Sequence, residues 1–204
     1  MNRASSFSSP TRRPHSVSFS AFARKVVISL AAASALAGVA CSSSEPVVPQ
    51  AYVNAQMGPG DNGASKCALP PGQWLVVGEQ YAPKQDGDSQ NGVPVSVTCE
   101  VRAEGGAFVV TSQLILKSGL NAGSVTMIGK VTGNGDQTVK ALFTRDDTGT
   151  FEQDDCKLSF TRVEKMGVAA GRIWGDITCP TASITDQNRT CAATAEVKFE
   201  NCVQ

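Results

Sequence analysis

The residues of this 204-residue chain with chemistry to offer are seven cysteines, one histidine and a few acidic loops. The cysteines stand at Cys41, Cys67, Cys99, Cys156, Cys179, Cys191 and Cys202, and no two are closer than 11 positions. A zinc site built on closely spaced Cys or His pairs is therefore not expected. The only imidazole, His15, lies near the start, so a serine or cysteine nucleophile further along has no histidine base beside it. No serine after Cys41 has a lysine three residues later, which removes the other common hydrolase arrangement. Gly58-Pro59-Gly60-Asp61-Asn62-Gly63 spells GxGxxG, but it follows no expected strand and opens no expected helix, so no helix N-terminus awaits a pyrophosphate. Oxygen ligands remain. Asp86 and Asp88 fall on one Gly-containing loop, and Asp146, Asp147, Asp154 and Asp155 crowd a second; these are the calcium candidates, although neither string has EF-hand order. Trp174, flanked by Arg172 and Asp176 on the face opposite Ile173 and Ile177, is the candidate binding face for a sugar ring or partner chain, but the favoured reading is that a loop or the other end of a barrel covers it.

The first 40 residues give the address. They are basic and serine-rich up to Arg24-Lys25, then apolar from Val26 to Ala37. That 12-residue run falls short of the roughly 20 apolar residues that span a bilayer and matches a secretory h-region. It ends in Leu36-Ala37-Gly38-Val39-Ala40-Cys41-Ser42, which resembles the lipobox of bacterial envelope lipoproteins. The resemblance implies cleavage before Cys41, two acyl chains on its sulfur and usually a third on its amine. It also implies, from Ser42 in place of Asp, residence in the outer membrane. One acyl chain binds a membrane only marginally, at ~0.8 kcal/mol per buried CH₂, whereas two or three hold stably. Thr11-Arg12-Arg13 suggests twin-arginine export only weakly, since Pro14 and His15 follow and the apolar run starts far downstream.

Six cysteines follow Cys41, an even number suited to three disulfides in an oxidising envelope. If Ala192 to Glu200 is a straight strand, Cys191 and Cys202 sit roughly 35 Å apart at ~3.3 Å per residue, too far to bond. Cys179 with Cys191 is the favoured pair, closing a turn-rich segment that contains Pro180, Asp186 and Asn188. Other pairings stay open.

Positioning falls to strands. Residues 41–66 carry Pro, Gly and Ser and read as the lipidated cysteine followed by a disordered tether. From Trp74 onward apolar residues alternate with polar ones, as in Val95, Val97, Cys99 and Val101 against Ser96, Thr98, Glu100 and Arg102. Gly105-Gly106, Gly133-Asn134-Gly135-Asp136 and Asp146-Asp147-Thr148-Gly149 punctuate the runs. Phe108 to Leu116 is nearly continuously apolar and suggests burial on both faces, and Glu164 to Gly171 offers at most one helical turn. The expectation is an all-β domain over 67–204, a disulfide-stapled antiparallel β-sandwich of about eight strands, with a closed barrel as the alternative.

Charge narrows the partners. Five of 18 basic residues precede position 26, while all 18 acidic residues follow position 40, leaving 13 basic against 18 acidic beyond the signal, a balance of −5. That is no footprint for nucleic acid. The sequence thus predicts a membrane-anchored envelope lipoprotein that binds a glycan or envelope protein, or has a structural role, without catalysis and without a cofactor. The alternative is a metal-dependent envelope enzyme using calcium or paired carboxylates, such as a glycan hydrolase.

Overall fold

The computed structural model describes residues 47–60, 66–119, 122–133, 135–162 and 164–204. The expected signal peptide (1–40) and the lipidation site Cys41 lie outside the described residues.

The described chain is all-β, with a single 3₁₀ turn at Thr185–Gln187. The strands are β1 (Gln50–Gly58), β2 (Gly72–Val77), β3 (Lys84–Gln85), β4 (Ser89–Gln90), β5 (Val93–Glu104) and β6 (Ala107–Leu116). They continue with β7 (Gly123–Val131), β8 (Gln137–Arg145), β9 (Gly149–Ser159), β10 (Gly167–Ala169), β11 (Arg172–Ile184) and β12 (Arg189–Glu200). They form one antiparallel sheet in the order β2-β1-β12-β11-β9-β8-β7-β6-β5-β4, with β3 on β1 and β10 on β11.

The expectation of an all-β, antiparallel, disulfide-stapled body is met. Instead of about eight strands in two facing sheets, twelve strands curl as one sheet into a nearly closed, barrel-like body. Long strands and bulges account for this. The ladder shifts register at Ala55/Gln56 in β1, Val139/Ala141 in β8 and Cys179/Ala182 in β11, and each such bulge bends its strand and increases the local twist. Alternation then puts Val53, Val97, Leu114, Met127, Phe143, Leu158, Ile177 and Phe199 inside as one core. Lys140, Glu152, Thr194 and Lys198 face outward, the reverse of a lipid-embedded barrel, whose outward face is apolar. No helix among the described residues is long and apolar enough to cross a membrane.

Four expectations are corrected. The tether reading fails over Gln50–Gly58, which form β1 between β2 and β12. Ala51, Val53, Ala55 and Met57 alternate inward there, but small residues between Pro and Gly clusters hide a period of two. Gly58 closes that strand, so the GxGxxG string does follow one. Phe108–Leu116 is buried on one face only: Val110, Leu114 and Leu116 point inward, whereas Val109 and Ile115 are half-buried outside. The segment after Glu164 yields the short strand β10 rather than a helical turn.

One disulfide joins neighbouring strands, β9 and β11, and the other two tie the segment before β2 to β12 and β5 to the segment after β12. Cys67 bonds Cys191, Cys99 bonds Cys202 and Cys156 bonds Cys179, so the favoured Cys179–Cys191 pair is wrong. Ile177 faces Leu158 and Thr178 faces Lys157, so one further step along that ladder brings Cys179 opposite Cys156. Cys191 and Cys202, near opposite ends of β12, pair apart.

Candidate functional site

The sheet does not close strand to strand. Its seam lies between β5 and β2, and the two edges are treated differently.

The outer edge of β5 is occupied along most of its length. β4 pairs with Val93 and Pro94. Val95 takes the Gly87 N–H at 3.1 Å and donates to the Asp88 carbonyl at 2.8 Å, while the Asp86 carboxylate accepts from the Val97 N–H at 2.9 Å and the Ser96 hydroxyl at 3.1 Å. Val203 bridges Glu100 in parallel, donating to the Cys99 carbonyl (3.0 Å) and accepting from the Val101 N–H (2.8 Å). The Cys99–Cys202 disulfide fixes that contact.

The edge of β2 facing away from β1 has no strand partner among the described residues. It is touched by one side chain. Gln90 donates through Nε2 to the Val76 carbonyl at 2.6 Å and accepts at Oε1 from the Gly78 N–H at 2.6 Å. Gln90 is held there by the Asn91-Gly92 turn between β4 and β5, where both residues have positive φ (52° and 79°), the pattern of a two-residue hairpin. Beside this contact lies a cleft of about 460 Å³ lined by Gln73–Val76 of β2, by Gln90, Asn91 and Val93 across the seam, and by Leu116, Ser118 and Gly119. Trp74 lines it while almost entirely buried. It is the extra residue of the bulge, unmatched between Leu75↔Ala55 and Gln73↔Gln56. Its ring meets Phe151 edge-on at 5.8 Å, under the Arg145 guanidinium at 5.1 Å. Its indole N–H has no acceptor among the described residues.

A second cluster, on the outer face, contains two of the three binding-face candidates. Glu196 of β12, its side chain 11% exposed, accepts from the Trp174 indole (3.1 Å), Gln80 Nε2 (3.3 Å) and the Tyr52 hydroxyl (3.3 Å). It also pairs with Arg162, which donates to Asp176 at 2.8 Å. The Lys198 ammonium lies 5.3 Å from the Trp174 ring centre. Burial, and then the Glu196 charge, raise the Tyr52 pKa; the hydrogen bonds to Asp176 and Glu196 raise that of Arg162. Trp174 lies on the outer face, as parity expects, and it is covered, as the favoured reading has it, with 7% exposure and its N–H bonded to Glu196. Arg172 is not among Glu196's partners and lines a different cleft, of about 740 Å³, with Gly171, Glu200 and Val203.

The calcium candidates are scattered. Asp86 and Asp88 staple the turn before β5, Asp88 accepting from the Gln85 N–H at 2.9 Å. Asp147 pairs with Arg145, Asp154 with Lys140, and Asp155 accepts from Gln153. Among the described residues no three acidic, Cys or His side chains are grouped to hold a metal. The seam residues Gln90 and Trp74 were missed in the sequence. Asn91-Gly92 beside Val93 and Val95 is a strong hairpin signal that would have placed Gln90; read as a ligand loop, it gave no strand. Nothing in the sequence marks the bulge that turns Trp74 inward.

Comparison with family models, curated proteins and solved structures returns no match for this chain.

Proposed function

We propose that this chain is a lipid-anchored binding module of the cell envelope, held to the outer membrane by acyl chains on Cys41 and acting without catalysis on an envelope partner. The observation that carries the reading is the cysteine pairing. All six cysteines after Cys41 bond one another, which leaves Cys41 with no cysteine of its own chain to pair with and suits an oxidising compartment. Acylation of Cys41 explains the odd one. Supporting a binding rather than a catalytic role, the candidate carboxylates, Asp146 excepted, are committed to turn amides, amide side chains or cations. Intact-mass measurement of the native protein should find the first 40 residues gone and two or three fatty acyl groups on Cys41. A mass retaining those residues, or an unmodified Cys41, would overturn the reading.

A further inference from the structure

We propose that the free edge of β2 is a strand-addition site, which takes an extended polypeptide segment of a partner protein into the cleft at the seam. The proposal rests on the binding-module reading above and gives its ligand a chemical class.

The argument starts from two contacts with the same hydrogen-bond pattern. On β5, Val203 bonds the carbonyl of the residue before Glu100 and the N–H of the residue after it, the pattern of one residue of a parallel strand. On β2, the Gln90 carboxamide bonds the carbonyl before Val77 and the N–H after it. Gln90 thus supplies with a side chain what an incoming strand supplies with its backbone. It does so at one point only. The Val76 carbonyl faces the seam, and in a strand the N–H and C=O of one residue point the same way, so the Val76 N–H faces the cleft too.

What lies along the rest of this edge fits a peptide. A bare edge is a template for pairing, and proteins commonly blunt it with charge, Pro or cover. Gly72-Gln73-Trp74-Leu75-Val76 carries no charge, and Pro70 and Pro71 precede the strand instead of interrupting it. The cleft beside it, about 460 Å³, is within the size range of ligand sites. Trp74 lines the same cleft while 4% exposed, and Trp74→Phe keeps the apolar ring there. Main-chain bonds then give affinity, and the cleft selects side chains.

The test uses the full mature protein in detergent and a displayed library of random linear peptides. Enriched peptides should bind with Kd tighter than about 100 μM, and N-methylation along one of them should abolish binding at every second residue and spare those between. Val76→Pro, which removes the cleft-facing N–H, should weaken binding by about tenfold or more with an unchanged circular dichroism spectrum; Trp74→Phe should weaken it by a smaller factor. The N-methyl scan stands even if the proline variant misfolds. No enriched peptide, a scan without period two, a folded Val76→Pro that binds as well, or binding to an array of envelope glycans alone would each overturn the proposal. None of these would touch the anchored-module reading, which the mass of Cys41 decides.

Discussion

At the scale of single residues, the outer-face cluster and the core make separate predictions. Tyr52 has its pKa raised by burial first and by the Glu196 charge second. In a Tyr81→Phe background, so that one phenol titrates, Glu196→Gln should lower the Tyr52 titration, because the charge and the hydrogen bond it removes both raise it; phenolate absorbance against pH reads this out, and an unmoved titration would show that burial alone sets it. Since folded Tyr52 holds its proton more tightly than unfolded, its share of stability is complete below the ordinary tyrosine range. That share is lost as pH rises through the raised value. Inside, Ser112 is fully buried and its hydroxyl has no partner among the described residues. An unpaired buried hydroxyl costs about 1 kcal/mol or more, so Ser112→Ala should raise the melting temperature, and a lowered one would reveal a bond to that oxygen. Neither site was legible in the sequence: Ser112 sits in an apolar run, and Glu196's partners come from four separate segments.

At the scale of elements, one glycine fixes how closely β11 and the end of β9 approach. Gly175 faces inward between Ile173 and Ile177, and a Cβ there would lie 2.8 Å from Leu158 Cδ1, 2.9 Å from the Ser159 carbonyl oxygen and 3.1 Å from Phe160 Cδ1. The carbonyl belongs to backbone and cannot swing aside, so Gly175→Ala should cost about 1–3 kcal/mol in denaturant unfolding. An unchanged midpoint would show that β9 can move away. A strand with strong alternation was readable: β5 falls where Val95–Val101 put it. β1 was not, because Ala51 and Ala55 count for little in an apolar pattern and because its burial depends on β12, which is remote in sequence. β3 and β4, two residues each, are too short to show a period. Bulges shift register without any reliable residue signature, so the curling of one sheet, as opposed to two facing ones, was settled by tertiary geometry.

At the scale of the whole molecule, the seam depends on one covalent link. Cys99–Cys202 closes a separation of 103 residues, and constraining a loop of that length is worth about 4–5 kcal/mol by chain entropy. The Cys99→Ala, Cys202→Ala double variant should lose a large part of that in reversible unfolding. Its first amides to exchange with deuterium should be Val101 and Val203, whose N–H groups cross the seam. If they stay as protected as those of β7, the hydrogen bonds alone hold the seam. The cysteine count pointed to three links, but their pairing depends on which segments the closed fold brings together.

Sheet order also has a consequence for biogenesis. β1 lies against β12, Gln50 facing Glu200 across the ladder. A chain that emerges with its early residues leading delivers β1 long before its partner, and the meander from β5 to β9 can zip up while that first strand waits. Cys67 meets Cys191 only once β12 has emerged, so oxidation before then would join it to the wrong thiol. Under the export proposed above, the order of oxidation and emergence would govern the yield of correctly bonded protein.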